Sequence, residues 1–293
     1  MPLINFYLIR IITAITIATI YMCYDLFNRR NIPNIIIYTT SIIGIAFLFI
    51  MPTYMLIVES ATFAIIAFSV GFLIYKIGQI GLGDIIEIVL LSLIIPFQEV
   101  PLLINKIQYS LPFILSLFIA SGFIALIIVP IIYIPKAARK NLLHLNKNET
   151  KKAEFKVIIF SVAYLIFAGM LANFGMLSLY GIILIGIFIF SSDITILFEK
   201  AMLRVMIIYK KASELGIDDM IAISLMNKEL LDSIKSKVPE FTGLATKNII
   251  EELKENRINS KIPVYENGIP FAVPIFLGLI ISLLFGNILL LII

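Results

Sequence analysis

LPFILSLFIASGFIALIIVPIIYI, residues 111–134, runs for 24 positions without a charge. As a helix it would reach roughly 36 Å at ~1.5 Å per residue, more than the ~30 Å hydrocarbon core of a bilayer. Its length and apolarity set the reading of the rest of the chain. Seven further apolar segments share its character: Leu3–Tyr24, Ile35–Met51, Tyr54–Tyr75, Asp84–Phe97, Val157–Asn173, Met176–Phe190 and Phe271–Ile293. The fourth and seventh are short for a crossing, which fits tilt, re-entry or a thinned bilayer. Hydrophobic residues make up 60% of the chain and charged residues only 14%, well under the ~25% of a soluble domain. Met1–Tyr24 lacks a basic leader region and a small-residue cleavage site, so it is expected to be a retained first span.

The charges set the topology. With the Asn28–Asn34 loop inside and one crossing per segment, Lys76, the loop Lys136–Lys156 and the stretch Asp193–Ile269 are all cytoplasmic. Of the 23 Lys and Arg, only Arg10 and Lys106 then fall elsewhere, as the positive-inside rule requires. The expected fold is an all-α polytopic membrane protein of about eight transmembrane helices with both termini outside. A small, mainly helical cytosolic domain completes it. The expected domains are a membrane domain over 1–192, a cytosolic domain over 193–269 and a last span over 270–293. The basic loop Lys136–Lys156 is expected to fix topology and touch anionic membrane lipid, with a grip on substrate as the other reading.

Within 193–262 three helices are expected. The first is capped by Ser192/Asp193 and ends at Gly216. The second opens at Asp218/Asp219 and runs to about Lys237. The third spans Lys247–Arg257 with Thr246 as its cap. Asn267-Gly268 is a turn signal for a short hairpin within Lys261–Pro270.

Charged groups inside a membrane cost free energy, so each needs a reason. They are Arg10, Asp25, Glu59, Asp84 and Glu87. One Cys (Cys23) and one His (His144) leave no multi-cysteine metal site and little for a histidine-based triad. Catalytic chemistry, if present, falls to carboxylates, Lys, Ser/Thr or Tyr. Asp25 closes the first span and Asp84, in Gly81-Leu82-Gly83-Asp84, opens the fourth, so the topology puts both at one membrane face. Two carboxyls sharing a site do not both ionise easily. One serves as base on a water and the other, protonated, polarises a carbonyl. No metal and no cofactor is needed. Gly81 and Gly83, without Cβ, let a substrate backbone approach. Equally, either aspartate could be an interfacial charge, and Asp84 could do no more than favour a helix N-terminus.

Gly81-Leu82-Gly83-Asp84 resembles the motif of the GxGD aspartyl proteases, which include presenilins, signal peptide peptidases and prepilin peptidases. Asp25-Leu26-Phe27-Asn28-Arg29-Arg30-Asn31-Ile32-Pro33-Asn34 is similar to the D-x-x-x-R-x-I-P-N stretch of type IV prepilin peptidases. It has one additional residue before Ile-Pro-Asn counted from Arg29 and none counted from Arg30. Gly268-Ile269-Pro270-Phe271-Ala272-Val273-Pro274 is similar to the Pro-Phe-x-Pro start of that family's last span. The resemblance covers roughly residues 15–95 and 265–290. It implies that Asp25 and Asp84 are the catalytic aspartates and Gly81 and Gly83 the motif glycines. The four cysteines and the methyltransferase activity of bacterial members are missing, and Ile86 stands where the family often has Lys. The chain resembles the archaeal branch, which processes prepilins or preflagellins. The implied partners are such precursors, cut at the cytoplasmic face between a basic leader and a hydrophobic helix. Nucleic acid is not an implied partner.

Glu87, one turn beyond Asp84, is expected to tune Asp84, to bind a substrate's basic residues, or to pack in a polar cavity. Arg10 and Glu59 lie at similar depth and are expected either to pair or to snorkel separately. Cys23 is expected to pack, and Tyr24 to sit at the interface. Two alternatives stay open: a preflagellin (archaellin) peptidase with the same aspartates, and a non-enzymatic transporter or scaffold. Transporters commonly show related halves with interrupted helices, and these halves do not look alike.

Overall fold

The structure is a computed structural model that describes residues 2–28, 32–51, 53–76, 80–95, 112–143, 147–217, 219–256, 258, 260–265 and 271–288. Each of the eight apolar segments forms a helix. These are α1 (Pro2–Phe27), α2 (Asn34–Phe49), α3 (Tyr54–Lys76), α4 (Leu82–Ile94), α5 (Phe113–Arg139), α6 (Lys147–Asn173) and α7 (Leu179–Met206), with α10 (Ala272–Phe285) near the end. Between α7 and α10 come strand β1 (Ile207–Lys210), helices α8 (Lys228–Lys237) and α9 (Lys247–Glu255), and strand β2 (Ile262–Tyr265).

Five helices are long and apolar enough to cross a bilayer: Tyr7–Phe27 of α1, then α3, α5, Thr150–Asn173 of α6, and α7. Their outward faces are apolar: Ile158 and Leu165 of α6 are 60% and 62% exposed. Water would penalise such a surface, whereas lipid does not. The chain is a multi-pass membrane protein. The other three expected crossings form shorter helices: α2, α4 and α10 measure roughly 24, 20 and 21 Å at ~1.5 Å per residue.

The described chain divides into two compact units, one of residues 1–67, 86–205 and 270–293, the other of 68–85 and 206–269. The core of the first is built by α1, α4, α5 and α10. Ile11, Ala14, Ile17, Ala18 and Tyr21 of α1 meet Ile88, Leu91 and Ile94 of α4, Phe113 and Leu117 of α5, and Ile275 and Leu279 of α10. Small residues set the close approaches, as in membrane helix packing generally. A Cβ on Gly278 of α10 would stand 2.7 Å from the backbone nitrogen of Ser121 in α5. One on Gly44 of α2 would stand 2.8 Å from Leu90 Cδ2 of α4. Ile32-Pro33-Asn34 starts α2: the Pro33 carbonyl accepts from Ile36 N at 2.9 Å, and Ile32 packs on the core.

Arg10, 5% exposed, does not pair with Glu59 among the described residues. It donates from Nη1 to the Ile94 carbonyl (2.8 Å) and from Nη2 to the Phe47 carbonyl (2.9 Å), with the guanidinium over the Phe47 ring. These carbonyls belong to the last turns of α4 and α2, where helix carbonyls lack intrahelical donors and a cation is favoured. One planar group thus ties α1 to two helix ends. Arg10→Leu, which removes both donors, is expected to destabilise the protein by roughly 1–3 kcal/mol. Arg10→Lys recovers little, since an ammonium lacks the planar fork. Thermal unfolding in detergent measures this, and an unchanged midpoint for Arg10→Leu would remove Arg10 from the account of the bundle. Cys23, expected to pack, is exposed instead.

The second unit departs in part from the expected helices. α7 runs without a break through Ser192 and Asp193 to Met206, so those residues cap nothing. The chain then turns extended, and Ile207–Lys210 pairs antiparallel with Ile262–Tyr265, Ile207 opposite Tyr265 and Lys210 opposite Ile262. Isolated bridges add Ile221 to Val264 and Met220 to Leu244. Among its regular elements the stretch 207–269 is still mainly helical by residue count, with two four-residue strands added to α8 and α9. Asp219 starts no helix: its Oδ2 accepts from Gly216 N (2.8 Å) and from Lys210 Nζ (2.7 Å), fixing a turn. The second helix begins at Lys228 instead. Thr246 does cap the third, accepting from Ile249 N at 3.3 Å. Ile234, Val238, Phe241, Ile249, Leu253, Ile262 and Val264 form the core. The Asn267-Gly268 turn lies outside the described residues; β2 finds its partner in β1.

Candidate active site

Asp25 sits in the last turn of α1, 7% exposed. Its Oδ2 accepts a hydrogen bond from the backbone nitrogen of Ala272 at 3.3 Å. Ala272 is the first residue of α10, so the carboxylate meets a helix N-terminus, where N–H groups lack intrahelical acceptors and negative charge is favoured. The local sequence explains the arrangement. Ile275 N already bonds the Phe271 carbonyl at 3.0 Å. Pro274 carries no N–H and is tolerated in a first turn. Phe271 packs against the core beside this turn. The Phe-x-x-Pro pattern thus delivers a donor to Asp25, a partner that the sequence reading did not anticipate.

One turn before Asp25 on the same face, Tyr21 is fully buried and shares a 3.0 Å hydrogen bond with the Thr40 hydroxyl of α2. Thr40 in turn bonds the Ile36 carbonyl at 2.8 Å. Glu87 of α4 has no exposed surface. Sequence reasoning missed Tyr21 and Thr40, because a lone Tyr and Thr in apolar spans carry no signal of their own.

Asp84 belongs to the second unit. It is the third residue of α4, half-buried, with Gly81 just before the helix and Gly83 its second residue. The carboxyl folds back over Gly81: a Cβ there would stand 3.1 Å from Asp84 Oδ2, closer than side chains ordinarily come. The first glycine of the motif therefore makes room for the aspartate itself. A second glycine, not singled out from sequence, positions the same turn. A Cβ on Gly71 of α3 would stand 2.6 Å from Cγ2 of Ile85, the residue after Asp84. Asp25 and Asp84 thus fall in different units, each at the N-terminal end of a helix: Asp25 against α10, Asp84 within α4.

Among the described residues no group of three or more His, Cys, Asp or Glu side chains gathers where a metal ion would fit. No curated protein and no solved structure matches the chain. Residues 12–130, which hold Asp25, Gly81, Gly83, Asp84 and Glu87, match the model of the type IV leader peptidase family. That stretch, rather less than half of the chain, is thus similar to type IV leader peptidases, and the likeness supports a peptidase of the prepilin type.

Proposed function

We propose that this membrane protein is an aspartyl endopeptidase of the type IV leader peptidase family in which Asp25 and Asp84 jointly handle the proton of peptide hydrolysis. Its substrates are type IV pilin-like precursors, from which it removes a short basic leader at the cytoplasmic membrane face. The observation that carries the reading is the shared core of the two aspartate-bearing helices. Tyr21 and Ala18 of α1 pack with Ile88 and Leu91 of α4. Tyr21 is one turn from Asp25, and Ile88 is one turn from Asp84.

In the proposed reaction the ionised carboxyl of the pair takes a proton from water as the oxygen attacks the scissile carbonyl. The protonated carboxyl donates to the developing oxyanion. As the C–N bond breaks, the base gives its proton to the leaving amine and the other carboxylate takes back a proton from the gem-diol, which restores the starting pair. The titration belongs to the pair rather than to either residue. Gly81 and Gly83 carry no side chains before and within the first turn of α4, where an extended precursor backbone would lie. Glu87, one turn along α4 from Asp84, is a positioning group for that carboxyl. The cytoplasmic placement rests on the distribution of Lys and Arg, which also puts the β1–β2 unit on that side.

The test is cleavage by the purified protein of a prepilin precursor and a preflagellin precursor, side by side, with the product N-terminus sequenced. The reading expects cleavage between the basic leader and the hydrophobic helix, with faster turnover of the prepilin. Preference for the preflagellin would move the substrate assignment to the archaellin class. Absence of cleavage of either, in a folded preparation, would end the proposal.

A further inference from the structure

Side chains of α6 and α7 meet between Lys156 and Tyr164, and their contacts form a ladder. At one end Lys156 pairs with Glu199 at 3.8 Å, both exposed. Next, the Ser161 hydroxyl donates to Asp193 Oδ2 at 2.8 Å. Further along, the rings of Tyr164 and Phe188 meet at 5.0 Å between centroids, with Phe160 against both. Two hollows open on this seam. The one at the charged end, about 110 Å³, is lined by Lys152, Lys156 and Lys200 with Glu199 and apolar neighbours. The other, about 550 Å³, lies between α5, α6 and α7 and is walled by Phe118, Phe123, Tyr164, Phe167 and Phe188 with Gly122 among them.

We propose that this seam is a binding site for one anionic membrane lipid, its headgroup at Lys152, Lys156 and Lys200 and one hydrocarbon chain in the aromatic cleft beside Gly122. Charge and distance both choose a lipid. Three lysines against Glu199 leave the headgroup hollow with two net positive charges, and basic pockets between helices at the membrane surface bind acidic headgroups. From Lys156 to Tyr164 is eight residues, roughly 12 Å along the helix, the drop from a headgroup to the upper part of its chain. The aromatic cleft extends about as far again, from Phe118 to Leu126, also eight residues or roughly 12 Å.

The cleft is too small for a transmembrane helix, which with its side chains is about 10–12 Å across over its full length. Its volume suits a single chain and lies within the ~300–1,000 Å³ of ordinary small-ligand sites. Asp193, the acidic group deeper on the seam, does not oppose this. Its Oδ2 accepts from the Ser161 hydroxyl, and its Oδ1 is buried within the protein.

The test is native mass spectrometry of the full-length protein in detergent with equal amounts of phosphatidylglycerol and phosphatidylcholine bearing the same chains. The proposal expects one tightly held phosphatidylglycerol, preferred by roughly 25-fold at about fivefold per net charge. Lys152→Gln/Lys156→Gln/Lys200→Gln should abolish the preference. Gly122→Phe should lose both lipids, because its ring fills the cleft. The space above Gly122 is open, with no atom within 4 Å of an added Cβ, so this variant is expected to fold, and its unfolding midpoint checks that. Ile158→Phe, on the lipid-facing side of α6, should change nothing. Equal retention of the two lipids by the unmodified protein would overturn the site, as would full retention by a folded Gly122→Phe. A photocrosslinker at position 122 that captures co-expressed precursor in place of lipid would reassign the cleft to the substrate.

Discussion

Asp25→Asn and Asp84→Asn are each expected to lower cleavage by at least about 10³-fold while leaving the protein folded. Asparagine keeps the size of aspartate and removes only its ability to exchange a proton. At position 25 the amide oxygen still accepts from Ala272 N, so the contact that joins the end of α1 to the start of α10 survives. At position 84 the amide occupies the space that Gly81 leaves open. Loss of activity without loss of fold is therefore a signature of chemistry rather than of packing. Single-turnover cleavage of a prepilin precursor, with circular dichroism and unfolding midpoint as controls, separates the two. Either asparagine variant retaining full turnover would leave the protein a peptidase with a different catalytic group. The double variant should be no slower than either single one, because groups that act as a unit lose their effect together.

The eight helices were legible because lipid is a severe filter: a segment must satisfy its own backbone and present apolar side chains, and both leave a plain record in sequence. What eluded the reading depended on backbone groups or on distant pairing. Arg10 was expected to pair with Glu59 or to snorkel on its own, whereas the structure gives it the terminal carbonyls of α2 and α4, which no side-chain pattern announces. Asp25 likewise takes an N–H of α10, 247 positions away. Ser192/Asp193 reads as a helix start, yet α7 passes through it because Asp193 finds Ser161 on α6. The four-residue strands β1 and β2 are too short to show alternation, and their partners lie more than fifty residues apart. The motif glycines were legible in kind but not in mechanism. Gly81 was read as room for a substrate, and the structure shows it first making room for the carboxyl of Asp84.

Gly71→Leu is expected to lower kcat/KM for a precursor by about 10²-fold, although Gly71 lies in α3 and touches no reacting group. Even a bare Cβ at this position would stand 2.6 Å from Ile85 Cγ2 and 3.1 Å from Cγ1. Ile85 is branched at Cβ and 4% exposed, so it has little freedom to turn aside. A leucine must therefore displace the first turn of α4, and Asp84 is the neighbouring residue. The far part of α4 stays anchored by Leu90 against Gly44 and by Arg10 on the Ile94 carbonyl. The shift is thus confined to the end that carries the motif, and a displacement on the order of 1 Å near a catalytic group costs about 10²-fold. Ile85→Ala in the Gly71→Leu background restores the missing space and should recover at least tenfold of the loss, whereas Ile85→Ala alone should cost stability more than rate. This compensation distinguishes a collision from a general weakening of the bundle, because two independent defects would add. A fully active Gly71→Leu protein, or a double variant no faster than it, would mean that the placement of Asp84 does not depend on the close approach of α3.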